Sequence, residues 1–337
     1  MVGHKRGLGQ SPIEIKKPLK HAGVMPNYEC SAACRHCLYA CSPTYENGGF
    51  MDEPTMERTF ELLREGGCRT VHIGGGEPFL NFDGLLTLLA KARKHGIIVD
   101  YIETNACWAT DEDTIAKHLS ALKKAGADTL CISLDPFHAE YVPYAYPLKL
   151  AQVCQKSGFG YFLWQERFLN MLRNTDPNTS HNREALEKTI GRNYINDTAN
   201  AYGIRMGGRA VQIEMEYSTR RPVEEVLNST PCTGLVSTGH FHVDMYNRFI
   251  PPGCTGLVLP MEDVVRGMPD GKYPIYEALY NGGVAALFEL AKEHGFVPDA
   301  EGYASGCGLC FFIRKFLSEN GEFAELDKMH YVEALEY

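Results

Sequence analysis

Cys30-Ser31-Ala32-Ala33-Cys34-Arg35-His36-Cys37 sets three thiols within eight residues of one another. Three thiolates at this spacing can grip one metal centre. A structural zinc site normally closes with four ligands, and no fourth follows here at matching spacing. An iron–sulfur cube held by three cysteines leaves one iron open to a further ligand. A zinc knuckle that borrows a distant fourth ligand is the competing reading.

The run follows Ala22–Tyr28, which reads as a short strand, and strand-like and helix-like segments alternate from there. Helices are expected over Pro54–Glu65, Phe82–His95, Asp111–Ala125, Pro147–Lys156 and Leu186–Ala201. Strands are expected over Thr70–Ile73, Ile97–Glu103, Thr129–Leu134, Gly160–Gln165 and Gly203–Met215. Six such repeats predict an α/β chain with a parallel sheet and right-handed crossovers. Chemistry in such folds gathers at the C-terminal ends of the strands. The cysteine run, Gly74-Gly75-Gly76-Glu77-Pro78, Thr104-Asn105 and Ser133-Leu134-Asp135 all fall just after predicted strands, so they are expected on one rim.

Beyond Tyr217–Asn228 the rhythm stops. Phe241–Ile250 alternates like a strand pair with Asn247 at its turn, Val284–His294 reads as a helix, and Tyr303–Leu317 carries Cys307 and Cys310 into another. The expected division is an arm over 1–21, a first domain over 22–216, a second over 217–317 and a tail over 318–337.

The chain has 337 residues, a net charge of −9 and 12 cysteines. Its negative charge disfavours a nucleic-acid partner, which needs clustered Lys and Arg. The basic residues of the arm, His4, Lys5, Arg6, Lys16, Lys17 and Lys20, read as a solvated segment. No signal peptide and no apolar stretch of about 18 residues occur, so no membrane partner and a cytoplasmic, reducing setting are expected. There, clustered cysteines read as metal or redox chemistry.

The cysteine run resembles that of the radical S-adenosylmethionine (radical SAM) superfamily. The segment Gly75-Gly76-Glu77 is similar to that family's Gly-Gly-Glu motif, although a plain strand-to-helix turn also fits it. The resemblance implies a partial (β/α)6 TIM-like barrel and a [4Fe–4S] cluster on Cys30, Cys34 and Cys37. It implies S-adenosylmethionine near Gly75, Gly76 and Glu77, with His36, Thr104, Asn105, Ser133 and Asp135 as further contacts. Ser133 and Asp135 also suit a strand end or a helix N-cap, and Thr104-Asn105 a turn. His36 stands where the family usually has an aromatic residue, and Phe162–Glu166 lacks the family's usual adenine-contacting pattern.

Cys232 and Cys254 bracket the predicted hairpin, and Cys307 and Cys310 form a Cys-x-x-Cys. The set resembles a smaller C-terminal α+β twitch/SPASM-like domain, which implies a second [4Fe–4S] cluster; a zinc ribbon is the alternative. Cys68, Cys131 and Cys154 are expected to be buried, and Cys41 to pack in its loop or serve as an alternate ligand. Cys107, His138 and Glu166 are candidates for handling substrate protons or hydrogen atoms. His240 and His242 share one face of the hairpin as a conceivable metal pair or as exposed strand histidines.

The resemblance implies reductive cleavage of S-adenosylmethionine to a 5′-deoxyadenosyl radical that takes a substrate hydrogen, with a flavodoxin- or ferredoxin-type donor. Modification of a peptide or protein side chain is the first expectation, and dehydrogenation of a carbohydrate-like small molecule the second. Fewer than thirty residues precede Cys30, so a peptide is expected to need a separate partner or the insert at Arg167–Ala201. A zinc-stabilised scaffold protein is the reading from a different class.

Overall fold

The computed structural model describes residues 13–45, 49–205 and 207–335. His4, Lys5 and Arg6 lie outside them, as do most of the arm and the last two residues of the tail. Eight strands form one sheet: β1 (His21–Val24), β2 (Thr70–Ile73), β3 (Ile98–Thr104), β4 (Thr129–Ser133), β5 (Gly160–Trp164), β6 (Phe241–Val243), β7 (Arg248–Ile250) and β8 (Leu259–Pro260). Their order is β5-β4-β3-β2-β1-β6-β7-β8. Strands β1 to β5 are parallel, and β6 joins β1 in parallel on its other side. Strands β7 and β8 continue antiparallel.

The first five strand–helix repeats fall within a few residues of where the sequence puts them. The helices start where sequence chemistry starts them. Asp52 accepts from Thr55 N, and Asp111 accepts from Thr114 N, at 2.8 Å in each case, which satisfies a donor that the first turn leaves orphaned. Along β1, β2 and β6 the side chains alternate. Ala22, Val24, Val71, Ile73, Phe241 and Val243 are fully buried against the helices, and the other face lines the inside of the curved sheet.

The sixth repeat does not form. Gly203–Met215, expected as a strand, holds the helix Ala210–Tyr217, and the expected helix Leu186–Ala201 is two helices, Arg183–Ile190 and Tyr194–Tyr202. Val211, Ile213 and Met215 alternate like a strand, yet Ala210, Val211, Ile213 and Glu214 are the buried set. That set has helical spacing, and a run this short supports either period. Strand β5 is one edge of the sheet, β1 takes β6 as its other neighbour, and the sheet is open. The division near residue 217 therefore falls within a chain whose two parts share one sheet.

The predicted hairpin is β6–β7, with Asn247 at a φ of 58° in its turn. Asp244 accepts from the backbone N–H groups of Tyr246 and Arg248 at 3.0 and 2.9 Å, and from the Tyr28 hydroxyl at 3.1 Å. The hairpin is thus tied to the segment leading out of β1. Among the described residues, no helix is long and apolar enough to cross a membrane.

Glu325 fastens the C-terminal region. It is fully buried, and its Oε1 accepts from Ile275 N at 2.8 Å, at the start of the helix Pro274–Glu293. Its Oε2 is buried without a hydrogen-bond partner. Burial pushes this carboxyl up to about 7, against about 4.3 unfolded. Its contribution to stability is therefore full below about 4.3 and is lost as pH rises through about 7. Glu325→Gln keeps the Oε1 acceptor without the charge. It is expected to melt roughly 2–4 °C above the parent chain at about pH 8, with the gap closing towards about pH 5. Scanning calorimetry at both pH values reads this difference, and a pH-independent gap would refute the role given to Glu325.

Candidate active site

A cavity of about 400 Å³ opens at the C-terminal ends of the strands. Cys30, Cys34 and Cys37 lie on its wall, with Cys41 beside them. The loop that carries them is held from below by Arg209, which is almost completely buried. Its Nε donates to Cys34 O at 3.0 Å and its Nη1 to Ala40 O at 2.9 Å, while Nη2 donates to Cys41 O. The Arg209 backbone N–H adds a bond to Cys37 O at 3.1 Å. A hydrogen bond from Cys41 and the nearby Arg209 charge hold the Cys37 thiol well below its usual range, against the effect of burial. One of the three sulfurs is therefore predisposed to the thiolate that metal ligation requires.

The glycine turn after β2 joins this loop by backbone zippering. Gly76 N donates to Asn27 O, and Glu77 N donates to Glu29 O, each at 2.9 Å. The approach is close: a Cβ on Gly76 would stand 1.9 Å from Glu29 O. Gly75 has a φ of 110°, and its Cβ would stand 2.7 Å from Asn27 O. The glycines therefore serve the packing of two loops, and both still border the cavity.

Glu77 does not reach that wall. It is fully buried, accepting from Thr104 Oγ1 at 2.9 Å, Asn105 N at 2.7 Å and Phe79 N at 3.2 Å. Burial pushes its carboxyl up to about 7 despite these donors. It links the ends of β2 and β3, and Thr104 and Asn105 border the cavity above it. Asn105 Nδ2 also donates to Ser31 Oγ at 3.0 Å, which couples β3 to the cysteine loop.

Ser133, His36 and His138 are on the cavity wall. His36 stacks on Phe137 with ring centroids 4.9 Å apart and meets Tyr202 edge-on at the same distance. Asp135 is placed elsewhere: it is fully buried and accepts from Phe137 N at 2.9 Å and His138 N at 3.0 Å, as the N-cap of Pro136–Ala139. Its other oxygen is 2.7 Å from His138 Nδ1. Burial would raise this carboxyl, but His138 and His36 outweigh it and hold it at about 2. Asp135 thus aims His138 and caps a helix. Cys107 is half-buried beside Ser31, its thiol pushed up to about 12 by burial, and Glu166 is exposed; neither borders the cavity. Glu103, Trp164, Tyr202 and Arg205 also border it and were not singled out from sequence. Glu103 and Trp164 are the last or next-to-last residues of β3 and β5, which is a usable signal.

The second cysteine set also converges. Cys254 lies close enough to Cys310, Cys307 and Cys232 to feel each charge, and burial is the main reason its thiol rises to about 12. Cys232 rises to about 11 for the same reasons. Arg314, buried beneath them, donates to Thr255 O at 2.7 Å and to Cys310 O at 3.3 Å. Cys68, Cys131 and Cys154 are buried as expected.

The family profile of the Radical SAM superfamily matches residues 24–159. YydG of Bacillus subtilis (strain 168), provisionally named a peptide biosynthesis protein, is 25% identical over 123 residues. That match spans 36% of this chain and 38% of YydG. Native anSMEcpe with bound AdoMet aligns over 94% of this chain and 95% of its own, at 14% identity and a TM-score of 0.44. Streptococcus suis SuiB bound to S-adenosylmethionine aligns over 80% and 68%, at 16% identity and a TM-score of 0.38. The architecture described above rests on the sheet itself.

Gly76→Ala is expected to destabilise the chain by about 3 kcal/mol, because backbone on both sides must shift. Gly158→Ala, at a left-handed helix end with nothing within 4 Å of its Cβ, should lose only about 1 kcal/mol. Urea denaturation of the two variants compares them, and equal losses would refute the close-packing role of Gly76.

Proposed function

We propose that this chain, a member of the radical SAM superfamily through residues 24–159, uses the cavity at its strand ends to generate a carbon radical from S-adenosylmethionine and modify a peptide. The family implies one [4Fe–4S] cluster and S-adenosylmethionine. When bound, this pair supplies a one-electron cleavage that ends in a radical able to take a hydrogen atom from a C–H bond. The observation that carries the reading is the meeting of Cys30, Cys34 and Cys37 with Gly75, Gly76 and Ser133 around one cavity of about 400 Å³. That volume is within the usual range for small-molecule sites.

Each part of the wall has a task in this reading. Cys30, Cys34 and Cys37 hold the cluster, and the Arg209 grip fixes the loop that presents them. The turn at Gly75 and Gly76 leaves backbone at the cavity edge. Ser133 and Asn105 offer hydrogen-bonding groups to a ribose or an amino-acid end. The rings of His36 and Tyr202 offer faces for a base to stack on. Enclosure by the strand ends keeps water from quenching a reactive intermediate. Cys232, Cys254, Cys307 and Cys310 have the donor set for a second iron–sulfur cluster, fully ligated and suited to electron transfer or support.

A peptide substrate is favoured by the likeness to YydG, named for peptide biosynthesis. The electron comes from an external low-potential donor. Chain reconstituted with iron and sulfide under anaerobic conditions, then given S-adenosylmethionine and a strong reductant, is expected to release 5′-deoxyadenosine. Cys34→Ala should lower the yield roughly a hundredfold or more, in keeping with the loss of a ligand on which the chemistry depends. Chromatography of the products reads both. A colourless parent chain that yields no 5′-deoxyadenosine, with or without candidate peptides, would refute the reading.

A further inference from the structure

Three histidines, two in adjacent strands and one just before a third, meet on the inner face of the sheet, and His240 among them also borders the cavity that the cysteines line. His21 opens β1, His72 lies in β2, and His240 immediately precedes β6. The register sets Gly23 level with both His72 and His242. One nitrogen from each of His21, His72 and His240 lies within 4.8 Å of the other two.

His21 Nε2 and His72 Nδ1 are hydrogen-bonded at 3.1 Å, and an ion that took both nitrogens would displace the proton they share. Two imidazole nitrogens bound tetrahedrally to one zinc ion, at about 2.0–2.1 Å each, stand roughly 3.3 Å from one another. The far nitrogens of the same two rings face carboxylates. His21 Nδ1 is 3.4 Å from Asp100 Oδ2 and 3.3 Å from Thr70 Oγ1, whereas His72 Nε2 stands 3.8 Å from Glu103 Oε1, beyond hydrogen-bond reach. Metal-bound histidines characteristically give their second ring N–H to a carboxylate, which fixes the tautomer and frees the other nitrogen to ligate.

The surroundings suit neutral imidazoles. His72 is fully buried, and its Nε2 has no hydrogen-bond partner. Gly23 makes the room: a Cβ there would stand 2.5 Å from His72 Nε2 and 2.6 Å from His242 Nε2. The His240 ring lies parallel over His72, with centroids 5.1 Å apart. It must turn to aim a nitrogen at a shared ion, and its exposure leaves it free to do so.

We propose that His21, His72 and His240 form a transition-metal site of the zinc class, with water as the fourth ligand and Asp100 and Glu103 as the carboxylates behind it. The ion ties β6 to β1 and β2, and so binds the C-terminal part of the chain to the parallel sheet. No redox step is involved, and none of the three histidines is among the ligands proposed for the iron–sulfur centres, although His240 borders the same cavity.

The test uses the full chain with its iron–sulfur centres reconstituted, stripped of adventitious zinc by a chelator and then given zinc chloride alone. After desalting, the parent chain is expected to retain one zinc per chain. Zinc-edge X-ray absorption should show nitrogen and oxygen neighbours at about 2.0–2.1 Å and no sulfur. His240→Ala, at an exposed position, should keep its iron and lose the zinc. Asp100→Asn should keep the site with zinc affinity about 10–100-fold lower by chelator competition. No retained zinc in the parent chain, sulfur in the zinc shell, or equal zinc in His240→Ala would overturn the proposal.

Discussion

A buried guanidinium holds the cysteine loop in place. Arg209 donates to the carbonyls of Cys34, Ala40 and Cys41 through its side chain, and to Cys37 O through its backbone. A loop of this kind has no strand or helix to satisfy its carbonyls, and each one left unpaired in the interior is destabilising by about 1–3 kcal/mol. One arginine answers several of them and places positive charge beside sulfurs that must ionise to bind metal. Arg314 repeats the device under the second cysteine set, donating to Thr255 O and Cys310 O. There the arginine reaches one carbonyl of the loop after Cys254 and one of its own helix, Gly306–Asn320.

The position of the glycine turn follows from that fixed loop. Residues 27–29 lead into Cys30, and Gly76 and Glu77 bond to their carbonyls. The Glu77 carboxyl then turns inward and collects donors from Thr104, Asn105 and Phe79. The ends of β2 and β3 are joined through one buried carboxyl, and the backbone of the same residue bonds the segment after β1. The cavity above it is therefore shaped by backbone contacts that side-chain substitution on the wall would leave intact.

The first four strand–helix repeats were legible because each has an amphipathic helix of 13 or 14 residues, three of them capped, by Asp52, Asn81 and Asp111. The rim was legible for the same reason, since strand ends follow from strands. The sixth repeat was misread because Ala210–Tyr217 is short, and its apolar residues satisfy two periods at once. For Asp135 the sequence offered a ligand contact or a helix N-cap, and in the structure it caps Pro136–Ala139. Arg209 gave no local signal, because its partners lie about 170 residues away in the chain. His21 and His72 were invisible for the same reason, being neighbours only through strand register.

That register also explains why chemistry can differ between the two ends of one sheet. Side chains two apart on a strand share a face, so a face that is apolar on the helix side can carry a separate pattern on the inner side. At the C-terminal end the inner side meets loops, and sulfur, glycine and hydroxyl groups gather there. Towards the N-terminal end His21, His72 and His240 gather, and a Cβ on Gly23 would crowd the rings of His72 and His242. A side chain at that position would force those rings away from β1. Strand β6 pairs with β1 at the edge opposite β5, and His240 and His242 come with it. The pairing that brings the C-terminal part of the chain into the sheet therefore also assembles the histidine cluster.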